Sequence, residues 1–386
     1  MHGQDRTSPD GVRGEYVAGM TRTCSFDRAR RGEVPAAARS CVHLRGRPLS
    51  GSVRAVVRFR CRAVATLATL MLARLVLATL MLAMLPSRAP LAAQSQVPSP
   101  AAARAPRLDG KVPILEYHLI GGTDGRWSRS VARFRSDLAL LYARGYRPVT
   151  VGELLDKKLD IPAGTSPVVV TFDDASPGQF RYLERDGKLE IDPESAVGIW
   201  LDFSARHPDW RNKATFCLLP AASAGHAFFG NGGVEGQKTE WRLRKVRFLA
   251  EQGFELCNHT LWHAQLDRYD DGVVQEQIAR GGLAIDSAVA GYPVRTFALP
   301  LGIWPKNRTL ARSGEWRDKH SGRVARYRFD AILEVSGHPS PGPFSAAWNP
   351  LSLHRQQVLG DALVKLLDRL ESERLVVGAR APEGRP

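Results

Sequence analysis

Residues 166–174 read SPVVVTFDD. Three consecutive valines followed by Thr and Phe make a run of strand length, apolar on both faces. That is the pattern of a strand buried within a parallel sheet or barrel. Two aspartates, Asp173 and Asp174, end the run. In an extended chain their side chains point apart, so one can bind a metal while the other faces a substrate water. Asp is also common in turns and helix caps, so this pair alone does not define a site.

Outward from this segment, strand and helix patterns alternate. VPILEYHLI (112–120) reads as a buried strand, and in FRSDLALLYARG (134–145) Phe134, Leu138 and Leu141 share one helical face before Gly145 stops it. Thr150 and Glu153 form a capping-box pattern. Asp192-Pro193 predicts a helix running to about Arg206. KATFCLL (213–219), FELCN (254–258), VRTFALP (294–300) and FDAILEV (329–335) read as strands. Residues 239–253, 272–289 and 361–373 read as helices. No internal repeat is present. The alternation predicts an α/β fold built on a parallel sheet or barrel.

Two further clusters follow predicted strands, where the active sites of parallel α/β folds gather. The first is NHTLWH (258–263), with His259 and His263 spaced i, i+4. A helical turn would put both imidazoles on one face, able to grip one metal ion. Among 10 histidines such a spacing also arises by chance. The second is FALPLG (297–302), a strand running into Pro300, Leu301 and Gly302. A turn there can aim backbone N–H groups into a site, although most such turns are ordinary loops.

TFDD, then His-x-x-x-His, then Phe-x-x-Pro-x-Gly, in that order, resemble the polysaccharide deacetylase family, the nodulation-protein-B-like carbohydrate esterases. VPILEYHLI and GYRPVTVGELL resemble members with an N-terminal strand of that kind. The likeness spans roughly residues 112–370. It implies a distorted (β/α) barrel. It implies Asp174, His259 and His263 as ligands of a divalent metal, zinc first, with cobalt or nickel open. It also implies Asp173 as general base, and hydrolysis of N-acetyl or O-acetyl groups on an acetylated polysaccharide. The chemistry agrees: two His and one carboxylate leave coordination sites for water and substrate, and the turn at Pro300, Leu301 and Gly302 supplies oxyanion donors.

The chain departs from the family pattern in places. The third motif often carries Arg before it and Tyr after its Pro, where this chain has Ala298 and Leu301. The family's acid is commonly a His after a Leu in a late strand. His354, in Leu353-His354-Arg355, is taken as the catalytic acid, with His338 as a rival. Arg355 alternatively matches an Arg that orients the catalytic Asp. His118 reads as a core histidine with a smaller claim to line the cleft. Trp262 and Trp304 read as packing residues before sugar platforms. Residues 175–212 are longer than the usual link and are read as shaping the substrate groove.

Composition bounds the rest. Of the net charge of +15, residues 1–93 contribute +10 from 15 Arg against 5 acidic residues. No basic stripe interleaved with aromatics follows, so nucleic acid is not an expected partner. Residues 1–62 read as a disordered or mis-started extension. Residues 63–93, with AVATLATLMLARLVLATLMLAML at 63–85, have the anatomy of a signal peptide or signal anchor. The only membrane contact expected is through that anchor. Residues 94–110 read as a Pro/Ala/Ser linker, 111–375 as the catalytic domain and 376–386 as a flexible tail. The product is therefore expected to be extracytoplasmic: secreted, periplasmic or tethered. Of five Cys, only Cys217 and Cys257 lie beyond residue 93 and read as two buried thiols before a disulfide.

Two rivals remain at this level. A catalytically weak glycan-binding module on the same fold would explain the altered third motif. An Fe(II) oxygenase also uses two His and one carboxylate, but its usual β-sandwich contradicts the strand–helix alternation.

Overall fold

The computed structural model describes residues 104–221 and 227–378. The readings of residues 1–93 as extension and signal segment lie outside the described residues, as do 94–103 of the linker and 379–386 of the tail. The described residues belong to one compact unit. No helix among the described residues is long and apolar enough to cross a membrane.

The core is a closed parallel barrel. Its strands are β1 (Ile114–Tyr117), β3 (Ser166–Phe172), β4 (Thr215–Leu218), β5 (Glu255–Asn258), β6 (Thr296–Ala298), β7 (Ala331–Val335) and β8 (Leu353–Gln357), with β2 (Tyr146–Pro148) added against the start of β3. Spatially the order is β1-β8-β7-β6-β5-β4-β3, and β3 returns to β1 with Ile114 opposite Val169 and Tyr117 opposite Phe172. Seven parallel strands closed on themselves leave no free edge in this core and bury both strand faces. The expected (β/α) barrel is therefore present.

Strand alternation sorts the side chains. Ile114, Val169, Cys217, Cys257, Leu333 and Leu353 fill one apolar cluster within the barrel. Their neighbours Leu115, Val170, Phe216 and Leu256 join a second cluster with the helices outside. Those helices are α1 (Val131–Ala143), α2 (Val151–Leu155), α3 (Ala196–Arg206), α4 (Arg242–Glu251), α5 (Asp271–Ala288) and α6 (Ala362–Leu370). The face read for α1 holds: Phe134, Leu138 and Leu141 are buried. The capping box forms at α2, with Thr150 Oγ1 accepting from Glu153 N at 3.0 Å and Glu153 Oε2 accepting from Thr150 N at 3.0 Å.

Several elements differ from expectation. The helix expected from Asp192-Pro193 begins at Ala196, because the Ser195 hydroxyl caps it by accepting from Gly198 N. Two antiparallel hairpins, Tyr182–Arg185 with Lys188–Ile191 and Ser313–Arg317 with Val324–Arg328, lie in stretches read without strands. Their charged outer faces mask the alternation. The fold also begins before Lys111: Arg104 pairs with Glu371 at 2.7 Å, and Arg107 bridges Val376. At the other end Val376 and Val377 donate their N–H groups to the Arg107 and Thr165 carbonyls and are buried. Cys217 and Cys257 face each other across β4 and β5 as buried free thiols.

Candidate active site

Interior positions change character along the strands. Above the apolar layer come Glu116, Thr171 and Arg355, and beyond them Asp173, His118 and His259. All six belong to the inward-facing set, because side chains two residues apart on a strand share a face. The C-terminal mouth of the barrel is thus polar over an apolar floor.

Asp174, His259 and His263 place one ligand atom each within 4.8 Å of one another. His259 Nε2 lies 3.5 Å and His263 Nε2 3.6 Å from Asp174 Oδ1, and the two rings are 5.0 Å apart. The His259 Nδ1 contacts the Ala298 carbonyl at 2.9 Å. A carbonyl only accepts, so Nδ1 carries the hydrogen and Nε2 presents its lone pair to the cluster. Both His259 Nε2 and Asp174 Oδ1 are buried without a hydrogen-bond partner. Two imidazole lone pairs and a carboxylate, two of the three atoms orphaned, are the donor set of a divalent cation site, and these residues fit the metal that the family likeness implies.

The histidines do not meet on a helical turn. Thr260 and His263 have φ of 69° and 65°, so the segment is an irregular loop. Asn258 holds it, accepting from Thr260 N at 2.8 Å and donating to the Ile278 carbonyl at 2.9 Å. Thr260 Oγ1 accepts from His263 N at 3.1 Å. Gly281 of α5 lets the helix approach: a Cβ there would lie 2.7 Å from Asn258 Oδ1 and 3.1 Å from the Thr260 backbone. The i, i+4 spacing predicted proximity for the wrong geometric reason. Asp174 and Leu301 also have positive φ, 74° and 59°. Left-handed backbone in non-glycine residues costs about 1 kcal/mol each and gathers at functional sites.

Asp173 lies deeper, on the extension of β3. Its Oδ1 accepts from Arg355 Nη1 at 2.7 Å, both side chains being essentially inaccessible. Burial opposes its charge, but the Arg355 guanidinium and His259 outweigh burial and hold the carboxyl well below the usual range. Burial likewise opposes the charge on Asp174, and His259 and His263 overcome it. Burial and the neighbouring His259 push the His263 imidazole down to about 4, which keeps its lone pair free at neutral pH. For His259, burial lowers and Asp173 and Asp174 raise, the net direction being upward.

Glu116, His118 and Asp173 form a second cluster of three potential ligand atoms within 4.8 Å. Arg355 already supplies a positive charge to both of its carboxylates, at 2.7 Å from Asp173 and 3.4 Å from Glu116. A second cation there would be repelled.

His354 is not in this group. It neighbours Arg355 on β8, so its side chain takes the opposite face of the strand. Its Nδ1 contacts Ser336 Oγ at 2.8 Å and its N–H donates to Ser340 Oγ at 2.8 Å. His338 is exposed, its carbonyl accepting from Gln356. Besides His259, 3.7 Å from Asp173, the histidine near this carboxylate is His118, half-buried just past the end of β1, its ring edge-on to Trp127 at 4.9 Å. Sequence alone favours His354 over His118 as the acid. The period-two register of His118 with Ile114 and Glu116 was the available signal.

The turn after β6 is tight. Gly302 N donates to Leu299 O at 2.9 Å and Ile303 N to Pro300 O at 3.0 Å. Gly302 has φ of 68°, and a Cβ there would press on Val335 at 3.0 Å. Leu301 is 48% exposed at the rim. Trp262 is 42% exposed next to His263, while Trp304 packs into the core and donates Nε1 to Glu334 at 3.1 Å.

Acid and imidazole groups converge at the C-terminal mouth of a closed α/β barrel, the end where barrel enzymes place their active sites. Residues 207–314 match the polysaccharide deacetylase family model. That segment is similar to the polysaccharide deacetylases, hydrolases that act on acetylated carbohydrates. The matched segment contains His259, His263 and the Pro300–Gly302 turn; the two aspartates and Arg355 lie outside it. No curated protein matches in sequence. Among solved structures, the Streptococcus pyogenes deacetylase PplD in complex with acetate aligns at 17% identity over 68% of this chain and 99% of its own, TM-score 0.47. IcaB from Ammonifex degensii aligns at 17% identity over 68% and 98%, TM-score 0.45. A polysaccharide deacetylase from Bacillus cereus aligns at 16% identity over 67% and 69%, TM-score 0.46.

Proposed function

We propose that this protein is a metal-dependent deacetylase that removes acetyl groups, N-acetyl foremost, from a cell-envelope or exported polysaccharide. The observation that carries the reading is the convergence of Asp174, His259 and His263, with orphaned buried ligand atoms, directly beside the buried ion pair of Asp173 and Arg355. The apolar stretch at 63–85 supports an extracytoplasmic location.

Asp174, His259 and His263 would hold a divalent cation, zinc first, which would supply Lewis-acid activation of water and of the acetyl carbonyl. The protein's own groups do the rest. Asp173, ionised and fixed by Arg355, takes the proton from the attacking water. The carbonyl oxygen becomes negative as the bond forms. Within the turn after β6, Pro300 has no N–H and those of Gly302 and Ile303 are spent, so in this reading the Leu301 N–H is the oxyanion donor. The leaving nitrogen needs a proton. We assign that donation to His118 rather than His354, because His118 is the histidine beside Asp173 outside the ligand set. Trp262 offers an exposed face to a sugar ring.

Acetate release from a panel of acetylated glycans, with and without a chelator and after zinc is restored, tests this reading. Chelator-sensitive, zinc-rescued acetate is the expected result. Glycan binding with no acetate from any member of the panel would favour a binding module on the deacetylase fold.

A further inference from the structure

Glu116 is a buried carboxylate beside the site that takes no part in the proposed proton transfers. Its side chain is 2% exposed, on β1, two residues before His118 and on the same inward face. One oxygen, Oε1, lies 3.3 Å from His118 Nε2 and also accepts from Gln357 Nε2 at 3.3 Å. The other, Oε2, lies 3.4 Å from Arg355 Nε. The opposite end of the same guanidinium donates Nη1 to Asp173 at 2.7 Å and to Thr171 Oγ1 at 3.2 Å. Glu116 therefore touches both groups that flank Asp173, and touches neither Asp173 itself nor the Asp174–His259–His263 cluster.

We infer that Glu116 is a positioning residue: one carboxylate steadies the His118 ring and the Arg355 fork at once, so that both meet Asp173 in a fixed arrangement. This deepens the deacetylase reading and rests on it. A half-buried His at a strand end has two ring orientations of similar packing energy, and a charged acceptor two residues earlier selects one of them. A lone Arg–Asp pair leaves a guanidinium free to turn about its long stem, whereas here an ion-pair contact at Nε, close but not hydrogen-bonded, adds to the hydrogen bonds of Nη1 and restrains both ends of the fork. No substrate contact is needed for this role. Deep burial of a carboxylate is unfavourable unless it is paired, and here its charged partners are Arg355 and, when protonated, His118.

The experiment compares the zinc-loaded full chain with E116Q, which keeps the shape and removes the charge. In acetate release, kcat of E116Q is expected to fall roughly 10- to 100-fold with KM within about twofold, since an outer contact changes the transition state and not uniform binding. The bound zinc and the thermal midpoint stay as in the wild type, which separates positioning from unfolding. The second readout does not depend on activity. In a ¹⁵N imidazole spectrum, the His118 signals are identified by their loss in H118Q. In the wild type they report one fixed ring with a bonded Nε2–H, and in E116Q they broaden or move to the free pattern. Unchanged His118 signals, or an E116Q kcat equal to the wild type, would overturn the inference. A wild type that releases no acetate counts against the deacetylase reading, and the spectra then decide Glu116 by themselves.

Discussion

Arg355 Nη1 donates to Asp173 Oδ1 across 2.7 Å between β8 and β3, with neither side chain appreciably accessible to water. The two residues are 182 positions apart in the chain. Closure of the barrel brings them together, through the pairing of β1 with both β8 and β3. The guanidinium serves as the resident cation for two buried carboxylates, and this explains how Asp173 stays ionised where burial alone would neutralise it.

Removing that cation is costly. Arg355→Met leaves Asp173 and Glu116 buried without their positive partner, and breaking a buried pair typically costs about 3–5 kcal/mol. Urea unfolding of the variant should show a loss of that size. A change within about 0.5 kcal/mol, the range of an ordinary surface substitution, would mean the pair is not formed in solution.

Asp173→Asn and His263→Ala should separate catalysis from metal binding. The first keeps metal and loses turnover by roughly 10²- to 10⁴-fold, the range of a removed acid–base group. The second loses metal and turnover together. Metal content by mass spectrometry, read beside acetate release, checks both. Near-wild-type turnover in Asp173→Asn would remove Asp173 as base.

Gly281→Ala tests the support of the histidine loop. The added methyl meets Asn258 Oδ1 at 2.7 Å and the Thr260 backbone at 3.1 Å, so either α5 or the loop must move. Overpacking of this kind costs about 1–3 kcal/mol. Because Thr260 holds His263 through its hydroxyl, zinc affinity should weaken as well. Isothermal titration with zinc and a thermal melt measure the two effects, and unchanged affinity would show that the loop does not depend on α5.

Lys245 gives a pH signature away from the site. It is buried, donating Nζ to Phe229 O and Gln237 Oε1 at 2.7 Å each. Burial, then repulsion by Arg181, lowers it from 10.5 to about 7. Between those values the unfolded chain binds the proton more readily than the folded one. Stability contributed by this residue is therefore complete above about 10.5 and is lost as pH falls toward about 7. Unfolding of wild type and Lys245→Met across that range should differ in slope by a few kcal/mol in total. Parallel curves would show that Lys245 keeps its ordinary affinity for protons.

The sequence by itself determined the parts whose cause is local. The all-apolar run at Val168–Val170, the capping box at Thr150 and Glu153, the face of α1 and the strand ends bearing Asp173, His259 and Pro300 all follow from spacing of two or of three and four residues. So did the α/β class with its parallel sheet or barrel, from the repeated alternation, the barrel itself being implied by the family resemblance. Tertiary structure decided what depends on which strands meet. His354 and Arg355 are equally good candidates as neighbours in the chain, and only closure of the barrel shows that Arg355 turns inward to Asp173 while His354 turns outward to Ser336. His118, a modest candidate alone, gains its place because β1 pairs with β3 and sets it beside Asp173. Glu116 reads in sequence as one polar residue inside an apolar strand. Its meaning is supplied by an arginine 239 positions away, because a buried charge takes its energy from whichever partner the fold delivers, however distant in the chain.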